Sequence, residues 1–446
     1  MLSLSNCRGP IMSRLFLSIR LFALFVIAGS ITVAAEPNAA EPNVVRVTDY
    51  LPDGYVVDGS VSYQAELQQA IDEASRQGGQ IVFPPMTYLI SDEAGLNIHS
   101  DMTFELHGAK FVFPADCDND GQLFRGENVQ DVRFSGGEVV GRNDVWPAGV
   151  NIRGIYLTGN CQRIHIEEMY LHDLTSNGVG VFGKSDDEPA RDVRVLDTII
   201  DNCCNVYGDY MAPEGELRGP EKGSVREDQG SVAFYYVESF QVRGCRFDRA
   251  RSDGTHFYHC RAGQISGNEI NRSKMGGFFL EGCRHVTASD NIIRLNGSRG
   301  CTIERGCENC TLIGNVVEES GREGLWIPDS RFCVVSNNIF RRNGRKPNDP
   351  DGRRAPWNAN ITIDESSSDP SDTIAGHCVF SGNLLETSES QIAAMRINLT
   401  NKSLAIVIKD NVLSGERANI LVEGEGEVIL RDNLPPQQPL IIPAAE

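Results

Sequence analysis

Between residues 154 and 324 the chain returns again and again to one phrase. Strand-like runs open near Gly154, Gly178, Ser231, Gly254, Gly277, Gly300 and Gly324, with 23 or 24 residues between most neighbours. A fixed period of that length is the mark of a solenoid, in which each repeat is one coil that cannot bury its apolar face alone. A second marker runs in phase through "GNEI", "DNII", "GNVV", "NNIF", "GNLL" and "DNVL". It places Asn268, Asn291, Asn315, Asn338, Asn383 and Asn411 at equivalent turns, where stacked amides can hydrogen-bond along the axis. Runs such as "GIYLTG", "GVGVFG", "GTHFYHC" and "GLWIPDS" alternate with period two and carry no long stripe of period 3.6, so the coils are made of strands. Stacking several short strands per coil gives an all-β chain, a single-stranded parallel β-helix around a narrow apolar core.

Ahead of the coils, "YQAELQQAIDEASRQGG" (63–79) sets Leu67, Ala70, Ile71 and Ala74 at helical spacing and stops at a Gly-Gly pair. It is expected to be an N-terminal capping helix, because an open solenoid end would expose both core and unpaired strand edges. This helix with the following "GGQIVFPPMTYLIS" resembles the opening of the pectate lyase superfamily and of polygalacturonase-like β-helix proteins, with Met86 where those carry glycine. The resemblance extends through the coil pattern to about residue 433 and implies a right-handed helix. It leaves activity open, since the superfamily includes lyases, hydrolases, epimerases and phage adhesins.

Residues 1–35 read as a secretory signal: Arg14 and Arg20 precede an apolar core, Val33 and Ala35 suit the cleavage site, and Met12 suits an initiator. A lead-in over 36–60, coils over 61–433 and a tail over 434–446 would then form a secreted, extracellular or periplasmic, protein. No second apolar run reaches the ~20 residues needed to span a bilayer. A formal charge of −20 argues against nucleic acid as partner. Twelve cysteines follow the signal; Cys260, Cys283 and Cys307 recur at coil spacing, as do Cys310 and Cys333, so packed thiols compete with bridges between adjacent rungs. "CENC" lacks a second pair at zinc-site spacing, so no metal site is assigned.

Strand alternation sends Phe278, Leu280, Cys301, Ile303, Leu325 and Ile327 inward. Two columns then face outward. One reads Ala233, His256, Phe279, Thr302, Trp326, Thr362; the other reads Tyr235, Tyr258, Glu281, Glu304, Pro328, Asp364. Glu281 and Glu304 would emerge together on neighbouring strands, where like charges repel unless an arginine (Arg305 or Arg284), a cation or a shared proton offsets them. The aromatics around them favour a sugar. Inserted segments between Cys204 and Ser231 and between Phe340 and Ala359 enter the same corner, as walls of a groove. The second carries Arg353 and Arg354 among six basic residues, which favours an anionic polysaccharide as substrate.

Two carboxyls on adjacent rungs suit glycoside hydrolysis, with Glu281 and Glu304 as acid and base or nucleophile. The alternative is a lyase, with His256, Tyr258 and Arg305 as proton-abstracting and neutralising groups and the glutamates holding Ca²⁺. Trp326, Phe279, Tyr235, Asp364, Arg353 and Arg354 are the candidate substrate contacts. The resemblance to polygalacturonases places Asp253 of "RSDG" at that family's first catalytic aspartate; "MGGF" and "SRGC" stand where its later motifs would be. A non-catalytic polysaccharide-binding or adhesin solenoid is the third reading.

Overall fold

The computed structural model describes residues 44–147, 150–204, 229–345, 359–365, 375–399, 405–424, 426–438 and 440–442. They form three parallel sheets of 14, 13 and 13 strands, each strand pairing with those one coil earlier and one coil later. This is the expected parallel β-helix. The pairing begins with Val44–Arg46 against Gln80–Val82 and reaches Leu440–Ile442 against Leu421–Glu423. Segments on both sides of the expected 61–433 span therefore contribute strands. The expected signal segment lies outside the described residues, and no described helix is long and apolar enough to cross a membrane.

Helix α1, Gln64–Gln77, buries Leu67, Ala70, Ile71 and Ala74, the four positions set by its periodicity. It ends on Gly78 in the left-handed region, as a glycine stop requires. The helix packs on Val44–Arg46, Gln80–Val82 and Leu96–Asn97, strands at the N-terminal end of the stack.

The repeat's two markers have separate physical causes. Each ladder asparagine follows a residue with positive φ: Gly267, Asp290, Gly314, Asn337, Gly382, Asp410 and Asp432 lie between 52° and 71°. Glycine, asparagine and aspartate bear that conformation at least cost, which explains the alternation "GN", "DN", "NN". Nδ2 of Asn268 donates to Oδ1 of Asn291 at 2.9 Å, and the pattern repeats through Asn315, Asn338, Asn383 and Asn411 to Asn433. The strand-opening glycines serve close approach instead. A Cβ on Gly300 would lie 2.4 Å from Val317 Cγ1 and 2.6 Å from the Gly324 carbonyl oxygen, so the corner closes only without one.

All twelve described cysteines are free and buried. They are packed thiols: the backbone N–H groups of Cys260 and Cys283 point at the sulfurs of Cys283 and Cys307, one rung on, at 3.4 and 3.2 Å. Burial pushes the thiols of Cys283 and Cys307 far above the ordinary range, so these sulfurs behave as small apolar groups.

Candidate functional site

One of the 13-stranded sheets carries the candidate residues on Val232–Tyr235, Thr255–Tyr258, Phe278–Glu281, Cys301–Glu304, Leu325–Pro328 and Ala359–Asp364. The register is the one read from alternation. Ala233, His256, Phe279, Thr302, Trp326 and Thr362 align rung by rung, and Tyr235, Tyr258, Glu281 and Glu304 form the neighbouring column. Phe278, Leu280, Cys301, Ile303, Leu325 and Ile327 fill the core side. The two glutamates thus stand on one face, on adjacent strands about 4.8 Å apart.

They do not stand open to solvent as expected. Glu304 is 4% exposed and His256 3%, and Phe279 and Tyr235 are buried too. The outward side chains cover one another: the His256 ring lies 5.5 Å from Tyr235 and 5.6 Å from Phe279, and Tyr235 lies 5.2 Å from Tyr258. Facing away from the coil interior is therefore not the same as facing water here.

Burial and charge separate the two acids. Glu281 accepts from His256 Nε2 at 3.3 Å and from the Arg305 guanidinium. Its burial opposes ionisation, but His256 and Arg305 outweigh that and hold the carboxyl at about 2. Arg305 is the offset foreseen among three, and it sits at φ 53° in the turn directly after Glu304. Glu304 has no such pair among the described residues. Its burial, then the neighbouring Glu281 charge, push its carboxyl up to about 7, against Arg299, Arg305 and His256. At neutral pH the site holds a fixed carboxylate beside a carboxyl that can carry a proton. Burial likewise raises the Tyr258 phenol, which keeps it protonated at neutral pH.

A second cluster adjoins this pair. The Arg299 guanidinium lies 3.6 Å over the Trp326 ring, and the indole N–H donates to Asp364 Oδ1 at 2.8 Å. Burial raises the Asp364 carboxyl to about 6 despite that hydrogen bond. Glu323, almost fully buried, lies 3.5 Å from Arg299 Nε and 3.4 Å from Arg322 Nε. Arg396, one rung beyond Thr362, is paired with Glu423. One face of the expected sugar platform Trp326 is thus taken by a side chain of the protein.

Asp253 is fully buried at the corner before the His256 strand. Its oxygens accept from the Gly276 N–H at 2.8 Å and from the Gln229 amide, which tie it into the corner. Arg353 and Arg354, with most of both inserted segments, lie outside the described residues. Sequence reasoning missed Arg299, Arg322, Glu323 and Arg396. A signal was present: Arg299 and Glu323 directly precede Gly300 and Gly324, at the position held by Asp253 and Gly276 in earlier coils. Among the described residues no group of His, Cys, Asp and Glu is arranged to hold a metal ion.

The molecule is a right-handed parallel β-helix protein. A family model for the right-handed β-helix region matches residues 230–383, the coils that carry this site. Among solved structures, the A-module of mannuronan C-5 epimerase AlgE4 from Azotobacter vinelandii aligns with a TM-score of 0.63 at 12% identity, covering 89% of this chain and 100% of that one. The tailspike protein of Escherichia coli bacteriophage HK620, solved with a pentasaccharide, aligns at 0.57 with 14% identity, covering 85% and 67%. Identities this low establish shared architecture. A search of curated proteins found no significant sequence match.

Proposed function

We propose that this chain is a secreted carbohydrate-active enzyme that hydrolyses glycosidic bonds in an acidic polysaccharide, with Glu304 as the proton donor and Glu281 as the partner carboxylate. The observation that carries the reading is the opposite displacement of the two acidities on adjacent rungs. Two carboxyls whose surroundings push their proton affinities apart are the arrangement a glycosidase needs. Glu304 protonates the leaving oxygen as the bond to the anomeric carbon breaks. Glu281, held as carboxylate by His256 and Arg305, bonds to or stabilises that carbon. Water then bonds to that carbon as Glu281 leaves it, losing its proton to Glu304. Adjacent rungs correspond to the shorter carboxyl spacing of roughly 5–5.5 Å, and so to retention of configuration.

Polysaccharide as the ligand class is supported by the neighbours, one named for mannuronan and one bound to a pentasaccharide. Arg299 beside Glu304, in a chain of net charge −20, supports an anionic sugar. The lyase alternative, Ca²⁺-dependent or not, gains less support: Tyr258 is held in its protonated form and Arg305 is engaged with Glu281. The binding or adhesin reading leaves the separated acidities without a use.

The test is digestion of a panel of uronate-containing and sulfated polysaccharides, with and without chelator. Hydrolysis yields new reducing ends without ultraviolet-absorbing unsaturated products, and Glu304→Gln lowers the rate by about 100-fold or more. Unsaturated products would establish the lyase, and binding without products the adhesin.

A further inference from the structure

A second 13-stranded sheet, built mostly of three-residue strands, carries an apolar row that no described residue covers. In Ile292–Arg294, Val316–Glu318, Ile339–Arg341, Leu384–Glu386 and Val412–Ser414 the middle residue is buried in the core and the first faces out. The first residues align on consecutive rungs as Ile292, Val316, Ile339, Leu384 and Val412, and a bridge adds Leu434. Apart from the half-buried Val316, these are 37% to 60% exposed. The same column carries Arg246 and Glu269 on the two preceding rungs, so the position accepts charge and the strand geometry does not demand an aliphatic. Single exposed aliphatics are ordinary; six in register mark a contact surface.

The third residues name the partner. They read Arg294, Glu318, Arg341, Glu386 on four successive rungs, alternating in sign. The middle two are joined, since Glu318 accepts from the Arg341 guanidinium. The outer two have no ion-pair partner among the described residues; Arg294 Nε donates only to the Asn271 amide oxygen, at 3.3 Å. A second copy laid parallel in the same register would set each charge against its own kind. Laid antiparallel about a twofold axis between the Glu318 and Arg341 rungs, it sets Arg294 against Glu386 of the other copy at both ends. It also sets Ile292 against Leu384 and Val316 against Ile339, while Val412 and Leu434 at the ends of the row meet Glu269 and Arg246 of the other copy.

We propose that this face is the docking surface for a second copy of the chain, antiparallel, closed at each end by an Arg294–Glu386 pair. The row is narrow, so the dimer falls at the small end of protein interfaces, under about 1,200 Å², and forms reversibly with concentration. It uses a different sheet from the candidate site, so the partner does not cover the glutamate face.

Sedimentation velocity of the full chain over about two decades of concentration reads the equilibrium directly. The expected result is a monomer–dimer transition that Arg294→Glu or Glu386→Arg alone shifts by about tenfold or more to higher concentration. The two substitutions together restore it, because the reversed charges meet again across the axis. Unchanged thermal midpoints in the single variants separate lost docking from lost folding. A chain that stays monomeric throughout, or a double variant as weak as the singles, overturns the proposal and assigns the row to another occupant or to none.

Discussion

At the scale of single residues, the site turns on one carboxyl that is hard to ionise and one that is hard to protonate. For Glu304 the folded value of about 7 lies above its ordinary 4.5. Between those pH values the folded chain keeps a proton that the unfolded chain releases, so stability falls as pH rises through the window. Glu281, held at about 2, has the opposite sign: its contribution is present above 4.5 and is lost as pH falls toward 2. Glu304→Gln removes the first dependence. Thermal midpoints measured from about pH 5 to 8 should show the variant gaining on the parent as pH rises, while its activity stays low. A gap that does not change with pH would mean that Glu304 ionises normally. The pairing of the two glutamates was legible in the spacing. Their unequal acidity was not, because it depends on Arg305, His256 and the depth at which Glu304 lies.

At the scale of the coil, the asparagine ladder does work that alternation alone cannot. Asn315 donates to the Ala288 carbonyl at 3.0 Å and to Asn338 Oδ1 at 2.9 Å, while its own Oδ1 accepts from the Asn291 backbone and amide at 3.0 and 2.8 Å. Asn315→Ala deletes these bonds and orphans the buried N–H of Asn291 on the preceding rung, at a cost of about 3 kcal/mol. Asn433, the last member among the described residues, accepts from Asn411 and donates to Ile408 but to no further amide, so Asn433→Ala should cost less by about one hydrogen bond, roughly 1 kcal/mol. Denaturant midpoints of the two variants check the difference. Equal losses would show that the stack is not strengthened along its length. The ladder's positions were readable from "GN" and "DN" because a left-handed turn restricts the residue before each asparagine. Its extension to Asn433 was not read, since "RDNLPP" breaks the aliphatic pair that marked the other turns.

At the scale of the whole molecule, the solenoid buries a chain of thiols without joining any of them. With Cys260, Cys283, Cys301, Cys307, Cys310, Cys333 and Cys378 all inaccessible, a thiol reagent should find none of the twelve described cysteines reactive in the folded protein and all of them after unfolding. Burst labelling of any of them under native conditions, or a shortfall after denaturation without reductant, would reveal an open coil or a bridge. The same architecture separates the surfaces: the glutamate face and the aliphatic row belong to different sheets of one stack.

The sequence by itself determined the architecture and the side-chain phase. A period of 23 or 24 residues, a glycine that admits no Cβ and a left-handed turn before each asparagine are constraints within one coil or between neighbours, and every coil restates them. What lies over the outward columns was decided only in three dimensions. Arg299 on Trp326, Glu323 between two arginines, Arg305 on Glu281 and the packing of His256 between Tyr235 and Phe279 join residues from successive coils and their corners. Nothing in a repeat's own pattern records whether an outward side chain meets water or another side chain. The acidities that define the site follow from that burial.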